Sequence, residues 1–123
     1  MVKRVLLIDD DNQLLGSLIR LIHRLGDYSV VSFGFAIDAL RYLQGLRTDA
    51  LPHIIITDYR MPRMSGLAFC QELRSNPKLA SIPIVVASGD DIDELQNLFE
   101  GLSIKVLVKP INLDTLRGLL KEE

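Results

Sequence analysis

Five short apolar runs, residues 5–8, 29–33, 54–57, 84–87 and 104–108, recur along the chain with helix-period stretches between and after them. The runs are rich in Val and Ile and mostly lack polar alternation, which is the pattern of strands covered on both faces. Leu14, Leu18, Leu21 and Leu25 step by four, three and four, and Gly26 follows as a stop beyond the last turn. Ile92, Leu95, Phe99 and Leu102 step by three, four and three, with Gly101 near the end. Residues 36–46, 66–74 and 113–120 supply three more helices, and Ser65 and Asn112 stand where N-caps belong.

Strands that alternate with helices build an α/β domain on a parallel sheet, because parallel neighbours need a helix-length crossover. Right-handed crossovers leave few topologies. The expected architecture is a doubly wound, flavodoxin-like sheet of five parallel strands in the order 2-1-3-4-5, flanked by five helices. At 123 residues the chain makes one domain, 1–123, large enough to bury a core without disulfide or metal staples. An apolar content of 48 % with 24 % charged residues is that of an ordinary globular protein. The net charge of −2 and the lack of a basic run exclude a nucleic-acid footprint. One cysteine excludes an internal disulfide and suits a reducing compartment. The first apolar run is too short for a signal peptide and no later stretch could span a bilayer, so a cytoplasmic protein without membrane or nucleic-acid partners is expected.

The ends of the runs carry the chemistry. Strand 1 ends in Asp9 and Asp10, strand 3 in Asp58, strand 4 in Ser88 and strand 5 in Lys109. In the order 2-1-3-4-5, strands 1 and 3 are about 4.8 Å apart, so the acidic pair faces Asp58 across the switch point where such sheets bind ligands. Lys109 lies roughly 10 Å away at the backbone, a distance that a lysine stem largely covers. A helix N-cap explains one of the three consecutive aspartates, and Asp11 is the one that needs nothing more. Three carboxylates at one mouth call for a cation. With no thiol or imidazole nearby the ligands are hard oxygens, which favours Mg2+ over zinc. A carboxylate can itself be the nucleophile in phosphoryl transfer, giving an aspartyl phosphate. A metal, a lysine and a hydroxyl suit the equatorial oxygens of that reaction.

Read together, LLIDDD, TDYRMPRMSG, PIVVASG and VLVKP resemble the receiver domain of two-component response regulators over essentially the full length. The resemblance implies Asp58 as phosphoacceptor and Mg2+ as cofactor. Asp10 would be a direct metal ligand, Asp9 the second acidic residue acting through water, and Arg60 a ligand through its backbone carbonyl. Ser88 and Lys109 would contact the phosphoryl group, and Pro110 would follow a cis peptide bond. It further implies a phosphohistidine on a histidine kinase or phosphotransfer protein as donor, and an output partner on the face of helix 4, strand 5 and helix 5. One position departs from the pattern: Val106 stands where receivers often carry a Tyr or Phe that swings inward on activation, and Phe99 is a candidate substitute.

Competing readings fit less well. A Mg2+ phosphohydrolase with an Asp nucleophile would place a second Asp two residues on, where Arg60 stands, and the chain has no cap insertion. A nucleotide- or flavin-binding domain would need a glycine-rich first turn, which here is acidic. A degenerate receiver used only for docking would not keep Asp9, Asp10, Asp58, Ser88 and Lys109 together. The expected chemistry is therefore self-phosphorylation and self-dephosphorylation at Asp58 without turnover of other substrates. Arg60 and Asp90, each two residues past a site residue, are expected to form an ionic gate on the water that hydrolyses the acyl phosphate. Cys70 is read as core, His23 as a solvated helix residue and His53 as a loop residue.

Overall fold

A computed structural model describes residues 2–89 and 91–122. Five strands, β1 (Lys3–Ile8), β2 (Tyr28–Phe33), β3 (Ile54–Asp58), β4 (Ile84–Ser88) and β5 (Lys105–Val108), form one sheet. Its order is β2-β1-β3-β4-β5 and every pairing is parallel, as the alternation of runs requires. The helices are α1 (Asn12–Leu25), α2 (Ala36–Gly45), α3 (Gly66–Ser75), α4 (Ile92–Leu98) and α5 (Leu113–Glu122), with a 3-10 turn at Thr48–Ala50.

The period of two along each strand divides the core in two. Leu6, Ile8, Ile55, Val86 and Val106 face α2, α3 and α4, where Leu43, Phe69, Leu73 and Phe99 complete the layer. Val5, Leu7, Ile54, Ile56 and Val85 face α1 and α5, and pack with Leu18, Ile22, Leu116 and Leu120. Asp9 and Asp58 continue the odd series of β1 and the even series of β3, so both belong to the α1–α5 side. Full burial holds for β3 and β4 and for the last four residues of β1. The edge strands are only partly covered: Ser29 and Ser32 are exposed on β2, and Val108 is 53 % exposed on β5.

Helix starts follow local chemistry. Asp11 caps α1 by accepting from the Gln13 and Leu14 N–H groups, Ser65 caps α3 from Ala68, and Asn112 takes the Thr115 N–H at 2.8 Å. Helix ends depart from expectation at two points. Gly26 closes α1 with an extended backbone, φ 160°, rather than the left-handed stop that glycine often supplies. The stripe from Ile92 to Leu102 is not one helix, since α4 ends at Leu98 and the chain turns through Gly101, φ 84°, and Ser103, φ 56°. Arg74 at the end of α3 holds the far side of that turn. Its guanidinium donates to the carbonyls of Leu102 and Ser103, and to those of Ala80 and Ile82 before β4, at 2.7–3.2 Å.

Candidate functional site

The carboxyl ends of β1, β3 and β4 and the residue after β5 meet at one edge of the sheet. Register puts Asp58 beside Ala87, and Ser88 beside Val108, the residue before Lys109. Backbone bonds fix the corners: Asp9 N–H donates to Phe33 O, Tyr59 N–H to Ala87 O and Lys109 N–H to Ser88 O, at 2.8–3.1 Å. The Lys109–Pro110 peptide bond is cis, as the resemblance implied.

Lys109 Nζ lies 3.0 Å from Asp9 Oδ2 and 3.0 Å from Asp58 Oδ1, so one ammonium is shared by two carboxylates. The Asp9 side chain is 5 % exposed and also accepts from the Asp11 N–H, while the lysine side chain is 25 % exposed. Asp9, Asp10 and Asp58 each offer a carboxylate oxygen within 4.8 Å of the others, with Asp9 and Asp58 buried and Asp10 exposed. Burial pushes the Asp58 carboxyl above its usual value; the Lys109 hydrogen bond draws it back and the Asp9 charge adds to the rise. Burial alone would lower the Lys109 ammonium, but the hydrogen bonds and charges of Asp58 and Asp9 outweigh it and raise the value. The ammonium therefore stays charged beside a carboxylate whose ionised form burial disfavours. An added cation at that oxygen cluster would relieve the repulsion.

Donor chemistry and spacing fit Mg2+: all three groups are hard oxygens, close enough to share one ion, and the exposed Asp10 leaves one side open to water. Asp10 and Arg60 also line a single open cavity of about 530 Å³ with Tyr59, Met61, Pro62 and Ser65. Ser88 is 3 % exposed at the adjoining strand end. The structure thus brings Asp9, Asp10, Asp58 and Lys109 into one cluster, with Ser88 one strand over and Arg60 on the outer wall. The proposed partner of Arg60, Asp90, lies outside the described residues.

Two features of the site were not read from the sequence. A Cβ on Gly66 would fall 2.8 Å from Asp58 O and 2.9 Å from Tyr59 Cα, so the first turn of α3 seats directly on the backbone that carries Asp58. Its N–H donates to Tyr59 O at 2.8 Å. Glycine right after the Ser65 cap is the signal the sequence holds for it, and by itself it marks only a helix start. The second is an aliphatic cavity behind Asp9 and Asp58, which no linear pattern signals.

The chain belongs to the response regulator receiver domain family, whose model matches residues 5–121. With the acidic pocket in place, it falls among the phosphoryl-accepting switches of two-component signalling. Response regulator Rre1 of Synechocystis sp. is 31 % identical over 119 residues, covering 95 % of this chain and 49 % of that protein. A response regulator receiver protein from Pseudomonas putida superposes with a TM-score of 0.84 at 28 % identity, covering 100 % of this chain and 98 % of that one. The chemotaxis response regulator CheY4 of Vibrio cholerae shares the fold with a TM-score of 0.85 at 24 % identity, over 99 % of this chain and 98 % of that one. The chain spans about half the length of the curated relatives it matches.

Proposed function

We propose that residues 1–123 form one receiver domain that takes a phosphoryl group from a phosphohistidine onto Asp58. An Asp58 carboxylate oxygen attacks phosphorus, the P–O bond forms as the P–N bond breaks, and the electron pair remains on the imidazole nitrogen. Lys109 exchanges its contact with Asp58 Oδ1 for one to a phosphoryl oxygen, and the Ser88 hydroxyl donates to another. Mg2+ would be held by Asp10 and Asp58, by the Arg60 carbonyl and, through water, by Asp9, and when bound it supplies neutralising charge to the phosphoryl oxygens. The observation that carries this reading is the 3.0 Å reach of one lysine to both Asp9 and Asp58, with Asp10 completing the oxygen cluster.

In this reading the donor is a histidine kinase or phosphotransfer protein, and the output partner meets the face of α4, β5 and α5. The phosphoryl group stays on the protein until water removes it, so the domain is a stoichiometric acceptor rather than an enzyme acting on other substrates. A cytoplasmic location agrees with the lack, among the described residues, of any helix long and apolar enough to cross a membrane. Intact-mass measurement after incubation with acetyl phosphate and Mg2+ tests the chemistry. One base-labile phosphoryl adduct is expected, and Asp58→Asn abolishes it. An adduct of undiminished yield in that variant overturns the assignment.

A further inference from the structure

The cavity behind the acidic cluster has a volume of about 250 Å³. Leu14, Leu15 and Leu18 of α1, Leu7 of β1, Ile56 of β3 and Ile111 after β5 supply its aliphatic walls. Its polar groups gather at one end, because Asp9, Asp58 and Lys109 also line it and are joined by the two 3.0 Å contacts of the lysine. An apolar cavity of about 150 Å³ already accommodates benzene, so this one has room for a ring and a short arm. A pocket of aliphatic walls with a few convergent polar groups is the usual form of a small-molecule site.

The charge at the polar end selects the ligand. Asp9 and Asp58 line that end, two carboxylates against the one ammonium of Lys109. A carboxylate or phosphate head is repelled, whereas an ammonium head finds the acceptor oxygens in excess. We propose that this cavity binds a small hydrophobic amine, its aryl or branched alkyl tail among Leu14, Leu18, Ile56 and Ile111 and its ammonium directed at the Asp9–Asp58 end. The pairing needs both halves: the walls supply burial of the tail, and the carboxylates supply the selection of charge. Binding is measured on the unphosphorylated chain, so its failure and a failure of Asp58 to accept a phosphoryl group are separate outcomes.

Methyl-resolved NMR on the wild-type chain tests the proposal with four probes: phenethylamine, phenylacetate, phenethyl alcohol and ethylamine. Phenethylamine is expected to give saturable shifts centred on the Leu14, Leu18, Ile56 and Ile111 methyls, with a Kd of about 1 mM or tighter. Phenylacetate keeps the ring and reverses the charge, phenethyl alcohol removes the charge, and ethylamine removes the ring. Each should bind at least about tenfold more weakly, since one lost interaction of ordinary strength is worth a decade. Leu14 is half-buried on the cavity wall, so Leu14→Trp should fill the space and abolish the phenethylamine shifts. Should that variant fail to fold, Leu14→Phe provides a smaller filling and is expected to weaken binding. Equal binding of the alcohol or the acid overturns the charge selection. Absence of saturable shifts, or shifts centred away from these methyls, overturns the site.

Discussion

At the residue scale, three aspartates in a row have three different fates, decided by where the strand ends. Asp11 caps α1, Asp10 faces water, and Asp9 is buried against Lys109. Gly66 is the least replaceable small residue near the site, because the atoms a Cβ would meet are backbone and cannot rotate away. Gly66→Ala is expected to cost roughly 1–3 kcal/mol in chemical denaturation, the scale of overpacking a tight contact. It should also slow acetyl phosphate labelling of Asp58, since the displaced backbone carries that residue. A stability loss within error of zero would mean the α3 turn moves freely. Of the residues read as inert, Cys70 is fully buried and its thiol is pushed up to about 12 by burial, so it stays protonated and unreactive. His53 is more than a loop residue. Its Nδ1 accepts the Arg4 N–H at 2.9 Å, and burial, followed by the charges of Arg4 and Lys3, lowers its value from 6.5. A depressed value means that the folded state disfavours the proton. Stability is therefore full above pH 6.5 and falls as the pH drops through the lowered folded value. Melting curves between pH 7.5 and 5 should show this slope reduced in His53→Gln, and an unchanged slope would assign it to other groups.

At the element scale, the switch face is built differently from the pattern that places an aromatic on β5. Val106 is buried there, opposite Val86, and an aliphatic side chain of that size offers no ring to swing. The aromatic contact lies elsewhere: Tyr59, next to Asp58, meets Phe99 edge-on with centroids 6.0 Å apart. Phe99 follows the last residue of α4 and closes it with a bond from its N–H to Leu95 O at 3.1 Å. A change at Asp58 thus has a packed path to the end of α4 that bypasses β5. An edge-to-face pair is worth about 0.5–1.5 kcal/mol beyond its burial. A double-mutant cycle of Tyr59→Leu and Phe99→Leu should recover a coupling of that size, and additive effects would remove the path. Comparison of free and beryllofluoride-bound protein by amide NMR should then show larger shifts along 91–102 than along β5. Shifts confined to Val106 and β5 would contradict this.

At the scale of the whole molecule, the fold is an apparatus for bringing like charges together, and its stability should respond to any ion that separates them. Residues from β1, β3 and the loop after β5 converge only when the sheet is assembled, so an ion bound by them stabilises the folded chain over the unfolded one. Mg2+ at ten times its Kd is expected to add about 1.4 kcal/mol by mass action. For a domain of this size that is a rise in Tm of roughly 5 °C, measurable by scanning calorimetry. Asp10→Ala should remove most of the rise while leaving the Lys109 contacts in place. A rise that survives in this variant would locate the ions elsewhere.

What the sequence determined by itself is the set of properties that depend on near neighbours and period. The Val- and Ile-rich runs specified strands, the three-four spacing specified helices, and Asp11, Ser65 and Asn112 marked their starts. The gathering of Asp9, Asp10, Asp58 and Lys109 was legible too, because a strand end is a local property and a doubly wound sheet sends its strand ends to one edge. Residues far apart in the chain decided the rest. Arg74, 28 residues before Leu102, holds the turn through which the apolar stripe leaves α4. The close seat of Gly66 on Asp58 O exists only once α3 is docked on β3. The 3.0 Å contact of Lys109 to Asp9 joins residues 100 positions apart. The cavity takes its walls from α1, β1, β3 and the chain after β5. Periodicity reports which face of an element is apolar, but not how closely two such faces meet, and that distance is set by packing of the whole.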